Sequence, residues 1–327
     1  MHFEHKTIFN ITNTTEFETS AIQLFHFQYI NNPVYREFCN RLKIDTAAVK
    51  DVNQIPYLPI EFFKTKRVVS GQNSPQVVFS SSGTTGSTSS KHYVTDITLY
   101  ENSYRKTFEL FYGTITDYCV LALLPSYLER SGSSLIYMVN DLIFKSNHPD
   151  SGFYLDNLVA LKSKIEQQEK RGQKTLLIGV SFALLDFVES FDLSLRHTIV
   201  METGGMKGRR KELIRNELHQ LLNKAFGTKT IHSEYGMTEL LSQAYSLGEG
   251  IFECPPWMKV TTRDTEDPLS PQELGKTGGI NVIDLANVYS CAFIATQDLG
   301  KVHYDGSFEV LGRFDHSDIR GCNLMAL

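Results

Sequence analysis

Residues 79–91 read Phe-Ser-Ser-Ser-Gly-Thr-Thr-Gly-Ser-Thr-Ser-Ser-Lys, the densest run of small and hydroxylated residues in the chain. The run follows Gln76–Phe79, a β-branched and aromatic segment that predicts a strand. Gly83 and Gly86 allow the backbone to bend and to approach a ligand, while hydroxyls and backbone N–H groups offer hydrogen bonds to anionic oxygens. Lys91 adds a positive charge at the far end. These features suit a loop that holds a polyphosphate.

The spacing differs from that of a Walker loop, in which four residues separate the glycines and Lys directly follows the second. Here two residues separate Gly83 from Gly86, and Lys91 comes later. A flexible Ser/Thr linker would have the same composition. The loop alone therefore leaves phosphate binding and a plain linker as open alternatives.

The composition is that of a folded protein with a substantial core. The chain has 327 residues, 41% of them hydrophobic, and a formal net charge of −5, which argues against nucleic acid as a partner. The five cysteines are widely spaced and include no Cys-x-x-Cys pair, which argues against a zinc site. Neither a signal peptide nor a transmembrane-length apolar run is visible, so we expect a cytoplasmic protein with reduced thiols.

Strand-like and helix-like segments alternate through the first two thirds of the chain. Tyr118–Leu124 and Thr175–Val180 are apolar almost throughout, as in strands of a parallel sheet covered on both faces. After residue 250, Gly/Pro turns separate short β-rich runs. The sequence therefore predicts one large α/β domain over residues 1–327, with α/β subdomains to about residue 250 and a β-rich subdomain over about 251–327.

Two helical predictions depend on periodicity and stop signals. Residues 14–43 predict two helices separated at Asn31–Pro33, because apolar residues recur at helical spacing on either side of a proline. Arg210–Phe226 predicts an amphipathic helix that ends at Gly227. Its apolar face is expected to contain Leu213, Ile214, Leu218, Leu221, Leu222 and Phe226.

Three further stretches follow predicted strands, where ligands bind in parallel sheets. Glu202–Gly208 contains paired glycines that suit close approach to a flat ring. His232–Glu239, after a predicted strand at Thr230–Ile231, offers an aromatic ring, a hydroxyl and a carboxylate, which suit base stacking, phosphate and Mg²⁺. Asp298 could accept two ribose hydroxyls, with Arg313 nearby as an anchor. Taken singly, the first two stretches are equally compatible with ordinary turns.

The order of four motifs resembles the adenylate-forming superfamily of acyl-CoA ligases and adenylation domains. The motifs are Ser-Ser-Gly-Thr-Thr-Gly at 81–86, Tyr-Gly-Met-Thr-Glu at 235–239, Asp298, and Gly-Arg-x-Asp at 312–315. Within the superfamily the chain is most similar to the acyl-protein synthetases of bacterial bioluminescence, the luciferin-component ligases. Leu124–Leu135, Glu202–Arg209 and Arg320–Met325 carry this closer resemblance. It implies mostly parallel sheets flanked by helices, with a β-rich C-terminal subdomain.

The resemblance implies that ATP and Mg²⁺ activate a carboxylic acid, here a fatty acid, to an acyl-adenylate with release of pyrophosphate. The acyl group would then move to a cysteine of the enzyme and on to a partner such as an acyl reductase. Carried over by motif, Ser81, Ser82, Gly83, Thr84, Thr85 and Gly86 would hold phosphate, and Gly204, Gly205, Tyr235 and Gly236 would surround adenine. Thr238 and Glu239 would serve phosphate and Mg²⁺, Asp298 and Arg313 the ribose, and Cys322 would accept the acyl group.

Two departures from the ligase pattern bear on mechanism. Gly86 is followed by Ser-Thr-Ser-Ser-Lys, where the ligases have Gly-x-Pro-Lys, which leaves the role of Lys91 open. The sequence stops at Leu327, so we expect it to lack the small mobile domain that supplies a lysine and the CoA tunnel in those ligases. Cys322 is then favoured over free CoA as acceptor. The alternatives are a phenylacetate-type aryl- or acyl-CoA ligase without that domain, and a non-catalytic nucleotide-binding scaffold.

Overall fold

A computed structural model describes residue 3 and residues 5–81, 88–125, 132–155, 157–204 and 213–314. In chain order its helices are α1 Thr14–Asn31, α2 Pro33–Arg41, α3 Phe62–Thr65, α4 Ile97–Tyr112, α5 Ser134–Ser146, α6 Leu158–Arg171, α7 Ser181–Ser190 and α8 Arg215–Phe226. Its strands are β1 Leu58–Pro59, β2 Val77–Ser80, β3 Lys91–Val94, β4 Cys119–Leu123, β5 Gly152–Phe153, β6 Thr175–Val180, β7 Thr198–Thr203, β8 His232–Tyr235, β9 Ala244–Ser246, β10 Ile251–Phe252, β11 Met258–Arg263, β12 Thr277–Asp284, β13 Phe293–Val302 and β14 Phe308–Arg313.

The chain divides into two compact units. The first unit contains Met1–Ser103, Thr238–Ser242 and Glu253–Leu327, and the second contains Tyr104–Met237 and Gln243–Phe252. The single-domain organisation predicted for 1–327, with a change of character near residue 250, stays a prediction. None of the described helices is both long and apolar enough to cross a membrane.

The first unit is built on an antiparallel sheet in the order β14-β13-β12-β11, to which β1 adds in parallel beside β13. The strands β2 and β3 form a separate antiparallel hairpin. Helix α1 is anchored by Gln28, whose Nε2 donates to the carbonyls of Asn287 and Val288 at 2.9 Å each. The β12–β13 loop, residues 285–292, is therefore held in the core although it is irregular.

The break predicted between the first two helices is confirmed. Asn13 caps α1 through a hydrogen bond from the Glu16 N–H. Asn32 ends α1 and caps α2 through hydrogen bonds from Val34 N–H and Tyr35 N–H, with Pro33 in the first turn. Proline suits that position because its missing N–H would have had no helical partner there.

The second unit contains a six-stranded sheet in the order β5-β4-β6-β7-β8-β9. The strands β5, β4, β6, β7 and β8 run parallel, and β9 returns antiparallel to β8. Every residue of β4 and β6 is buried, as their continuous apolar sequences predict. The carboxyl ends of β7 and β8 lie side by side, because Thr203 is paired with Glu234.

The prediction for the amphipathic helix is wrong at its start. Helix α8 begins at Arg215, and Ile214 precedes it in an extended conformation with 64% of its surface exposed. Leu221 is also exposed, at 49%. The buried face is the narrower row Leu218, Leu222 and Phe226, at intervals of four residues. The predicted stop is confirmed, since Gly227 takes the left-handed conformation at the helix end.

Two parts of the predicted motifs that were expected in loops lie in strands. His232–Tyr235 forms β8 itself, whereas the sequence predicted a strand at Thr230–Ile231 followed by a loop. Asp298 lies within β13 rather than at its end. Both strands carry polar side chains at positions where an apolar run is the usual strand signal, which explains the misplacement.

Candidate active site

The candidate phosphate loop connects β2 to β3 in the first unit. Ser81 N–H donates to the Ser90 carbonyl at 3.1 Å, and Ser90 N–H donates to Ser81 Oγ at 2.9 Å. Lys91 is exposed in β3, opposite Ser80. These contacts close the base of a hairpin. The predicted phosphate ligands Ser82, Gly83, Thr84, Thr85 and Gly86 lie outside the described residues.

The backbone of the Thr238–Glu239 motif is held by two buried side chains from distant parts of the first unit. His92 Nδ1 lies 2.8 Å from the Thr238 carbonyl oxygen, and Asn287 Nδ2 donates to the Glu239 carbonyl at 2.7 Å. The two side chains also meet, with His92 Nε2 3.0 Å from Asn287 Oδ1. Two neighbouring side chains that contact each other thus hold the consecutive carbonyls of Thr238 and Glu239.

Asp284 holds the residues that follow this motif. Its carboxylate is fully buried and accepts from Leu241 N–H at 2.7 Å, Ser242 N–H at 3.0 Å, Ser242 Oγ at 2.6 Å and Ala286 N–H at 3.1 Å. Burial raises the pKa of Asp284, and the donated hydrogen bonds oppose that rise. The segment 238–242 is therefore anchored at both its ends.

Glu239 is a buried carboxylate whose ionisation is influenced by three neighbouring groups. Only 5% of its surface is exposed, and this burial raises its pKa. A hydrogen bond from the Ser90 hydroxyl and the positive charges of Arg313 and Lys64 act in the opposite direction. Glu239 thus lies with Ser90, at the base of the candidate phosphate loop, and within the field of Arg313.

Glu239 fits Mg²⁺ as a single protein ligand. Mg²⁺ characteristically takes one or two carboxylates and completes its octahedron with water and substrate phosphates. Among the described residues, no group of three or more His, Cys, Asp and Glu is arranged to hold a metal ion by itself. A nucleotide would therefore have to supply ligands alongside Glu239.

The two residues predicted to bind ribose are brought together by strand register. Asp298 in β13 is the direct partner of Arg313 in β14, and Arg313 Nε donates to Asp298 Oδ1 at 3.1 Å. Asp298 is 8% exposed, whereas the Arg313 side chain is 75% exposed. The arginine orients a carboxylate whose oxygens are acceptors for hydroxyl groups.

In the second unit, a buried ionic cluster supports the turn that carries Gly204. Gly204 has φ +67°, a left-handed conformation that favours glycine. Ser181 Oγ lies 2.9 Å from the Gly204 carbonyl and 3.1 Å from the Glu202 carboxylate. Burial alone would raise the pKa of Glu202, but His219 and Arg215 outweigh it and hold that pKa low. Gly205 lies outside the described residues.

Tyr235 is the last residue of β8 in the same unit, and Gly236 follows it. The Tyr235 ring is 8% exposed, and its centroid lies 6.0 Å from that of Phe252. A Cβ on Gly236 would lie 2.4 Å from Glu234 Oε1, so a side chain here would displace the Glu234 carboxyl. Thr203 Oγ1 donates to Glu234 Oε2 at 2.5 Å, and burial raises the pKa of Glu234 to about 7.

His232 contacts a tyrosine of the second unit. Its Nδ1 lies 3.2 Å from the Tyr112 hydroxyl, and burial lowers its pKa to about 4. The residues that sequence reasoning missed are His92, Asn287, Asp284 and Glu234. His92 meets Thr238 across 146 positions of sequence, a contact for which a single sequence contains no local signal.

Solved structures with this fold are adenylate-forming enzymes. ATP-bound MatB from Rhodopseudomonas palustris matches with a TM-score of 0.54 and 20% identity, over 74% of this chain and 49% of that one. A 2-hydroxyisobutyryl-CoA ligase in complex with 2-HIB-AMP matches with a TM-score of 0.68 and 10% identity, over 95% and 71%. The chain spans about half the length of the MatB structures it matches. The predicted fold class, an adenylate-forming domain, is confirmed.

Sequence comparison finds similarity to the same proteins that the motifs resemble. A family model described as acyl-protein synthetase, LuxE, matches residues 13–105. The long-chain-fatty-acid–luciferin-component ligase of Vibrio harveyi is 23% identical over 331 residues, covering 92% of this chain and 84% of that protein. The similarity to acyl-protein synthetases predicted from the motifs is confirmed, and both matched names describe a ligase or synthetase.

Proposed function

We propose that this protein uses ATP to activate a long-chain fatty acid as an acyl-adenylate. The observation that carries the proposal is the convergence on Glu239 in the first unit. Ser90 from the candidate phosphate hairpin hydrogen-bonds to Glu239, and Arg313 from the ribose motif lies within its electrostatic reach. Groups from three stretches that are far apart in sequence thus act on the ionisation of one carboxylate. The similarity to a fatty-acid ligase supports the choice of acid.

In the proposed reaction, a carboxylate oxygen of the acid attacks the α-phosphorus of ATP. A P–O bond forms as the bond to the pyrophosphate oxygen breaks, and pyrophosphate leaves. Mg²⁺ bound beside Glu239 would neutralise charge on the phosphates. The Thr238 hydroxyl would donate to phosphate, Asp298 would accept from the ribose, and Gly204 and Tyr235 would hold adenine. Catalysis then consists of positioning and electrostatic stabilisation of the leaving group.

We further propose that the acyl group passes to Cys322. The thiolate attacks the acyl carbon, a C–S bond forms, and the bond to AMP breaks. The four described cysteines are poor candidates, because burial raises the pKa of each one, to about 12 for Cys39 and Cys254 and about 11 for Cys119. Cys322 lies outside the described residues, and its role rests on the family resemblance. An acyl reductase is the partner that the resemblance implies.

Acid-dependent ATP–pyrophosphate exchange tests the first step. We expect exchange that rises with acid chain length toward long-chain fatty acids and requires Mg²⁺. Exchange with short acids alone would contradict the proposed substrate class. A complete lack of exchange across the series would favour a non-catalytic nucleotide-binding scaffold.

Labelling with radioactive fatty acid and ATP tests the second step. We expect a hydroxylamine-labile acyl group on the wild-type protein and on Cys254→Ser, the matched control, and none on Cys322→Ser. Equal labelling of Cys322→Ser would overturn the assignment of the acceptor. Rapid acylation of added CoA, with the protein never labelled, would identify a CoA ligase instead.

A further inference from the structure

The β12–β13 loop, residues 285–292, is unusual because it is irregular and yet almost completely buried. Asn287 is fully buried in it, and its backbone carbonyl accepts from Gln28. Ser70 Oγ donates to the Ser290 carbonyl at 2.6 Å. Loops generally lie at the surface because their backbone polar groups need water. Here side chains of the first unit replace that water, so the loop is a rigid platform.

His92 extends from β3 to this platform and to the Thr238–Glu239 motif. It is 1% exposed, and its ring meets that of Phe63 edge to face, with centroids 5.7 Å apart. Its two nitrogens face the Thr238 carbonyl and Asn287 Oδ1. Packing against Phe63 fixes the plane of the ring, and the two polar contacts fix its rotation.

The hydrogen-bond partners show which ring nitrogen of His92 contacts the Thr238–Glu239 motif. Asn287 must turn its Nδ2 toward the Glu239 carbonyl, since an oxygen there would face another oxygen. Its Oδ1 then faces His92 Nε2. Of the two ring nitrogens, Nδ1 faces the motif itself, 2.8 Å from the Thr238 carbonyl oxygen, which can only accept a hydrogen bond. A donor at the place of Nδ1 is therefore what the contact with the motif requires.

We propose that His92 and Asn287 are positioning residues for acid activation: by holding the consecutive carbonyls of Thr238 and Glu239, they set where the Thr238 hydroxyl and the Glu239 carboxylate point. This inference rests on the proposed function for its catalytic consequence. The geometry is suited to the task because both contacts are made to backbone, leaving the Thr238 and Glu239 side chains available to a nucleotide and its Mg²⁺. Outer-shell partners of this kind characteristically affect activity by about 10- to 100-fold.

Two substitutions at one position separate positioning from packing. In His92→Asn, the amide nitrogen occupies nearly the place of Nδ1 and can still donate to the Thr238 carbonyl. In His92→Gln, the amide nitrogen lies one bond further out, near the place of Nε2. We expect the kcat of ATP–pyrophosphate exchange to fall by about 10- to 100-fold in His92→Gln and by much less in His92→Asn, with the KM for the acid nearly unchanged in both.

Hydrogen exchange of the ligand-free protein provides a readout that does not depend on activity. We expect faster amide exchange in residues 238–242 of His92→Gln, with the protection of Thr175–Val180 in the second unit unchanged. Asn287→Ala removes the bond to the Glu239 carbonyl and the contact with His92 Nε2, while His92 Nδ1 keeps its place at the Thr238 carbonyl, and it should give the same local signature. It keeps the test available if His92→Gln folds poorly.

Ser70→Ala is the matched control, because it also removes a buried hydrogen bond to the β12–β13 loop but makes no contact with the motif. It should leave kcat and exchange in residues 238–242 near wild type. Equal losses of kcat in His92→Asn, His92→Gln and Ser70→Ala would overturn the proposal, as would unchanged exchange in 238–242. If wild-type protein shows no pyrophosphate exchange, the proposed function fails, while hydrogen exchange still decides whether His92 holds the motif.

Discussion

Glu239 is under two opposing demands at the scale of a single residue. Burial disfavours its negative charge and raises its pKa, whereas a role as Mg²⁺ ligand requires that charge. The Ser90 hydroxyl and the charges of Arg313 and Lys64 offset only part of the cost of burial. A buried carboxylate whose burial carries such a cost is characteristic of a functional site.

We predict that Glu239→Gln separates stability from activity. Glutamine has the same shape without the charge, so the melting temperature should stay equal to that of wild type or rise. ATP–pyrophosphate exchange should fall by about 100-fold or more, because charge stabilisation at the leaving group is lost. Differential scanning fluorimetry and the exchange assay measure the two effects.

Glu253→Gln makes the same chemical change at an exposed position of the first unit and serves as control. Its melting temperature and exchange rate should both match wild type. Retention of full exchange activity by Glu239→Gln would contradict the assignment of Glu239 to Mg²⁺ and phosphate.

At the scale of elements, the end of β8 has an internal steric requirement. The Glu234 carboxyl folds back so that Oε1 occupies the space a side chain at Gly236 would take. Thr203 from the neighbouring strand holds the other oxygen of that carboxyl. A side chain at the glycine of the Tyr-Gly-Met-Thr-Glu motif would therefore have to displace the Glu234 carboxyl from its contact with Thr203, whether or not a ligand is bound.

We predict that Gly236→Ala destabilises the protein by about 1 to 3 kcal/mol through overpacking against Glu234. In a Glu234→Ala background the same substitution should cost less, since Oε1 is then absent. The coupling energy should lie in the range of about 0.5 to 3 kcal/mol that residues in contact show. Urea unfolding of wild type, the two single variants and the double variant measures this coupling energy. Additive changes in unfolding free energy would contradict a steric conflict between Glu234 and a side chain at position 236.

Sequence reasoning predicted those elements whose signals are local. The apolar runs of β4 and β6 and the Asn31–Pro33 break depend on neighbouring residues alone, and all three were predicted correctly. The start of α8 was misplaced because Leu213 and Ile214 continue the helical period, although Ile214 lies outside the helix and in water. Periodicity cannot show which apolar residues tertiary packing will leave exposed.

The sequence allowed prediction of the candidate-site residues that belong to motifs, but not of the residues that hold them in place by packing. Asp298 and Arg313 were both identified, and strand register pairs them. His92 and Asn287 belong to no motif, and their contacts with Thr238 and Glu239 span 146 and 48 positions of sequence. The family resemblance therefore identified groups expected to touch the nucleotide, while the groups that hold them in place required the structure.

At the scale of the whole molecule, two buried groups of the second unit give its stability opposite dependences on pH. His232 has its pKa lowered to about 4 by burial, so its contribution is present above pH 6.5 and is lost as the pH falls toward 4. Glu234 has its pKa raised to about 7, so its contribution is present below pH 4.5 and is lost as the pH rises through 7. The two effects overlap between pH 4.5 and 6.5 and partly cancel in the wild-type protein.

We predict that single substitutions separate these two contributions. Relative to wild type, Glu234→Gln should gain about 2 to 3 kcal/mol of unfolding free energy between pH 4.5 and pH 8, because glutamine is never forced to ionise. His232→Asn should show the opposite trend, gaining stability relative to wild type as the pH falls from 7 to 4. Urea unfolding followed by far-ultraviolet circular dichroism across this pH range measures, for each variant, the difference in unfolding free energy from wild type. If the stability difference between Glu234→Gln and wild type does not change with pH, the Glu234 carboxyl of the wild-type protein ionises as easily in the folded state as in the unfolded chain. The contact with Thr203 would then compensate fully for burial.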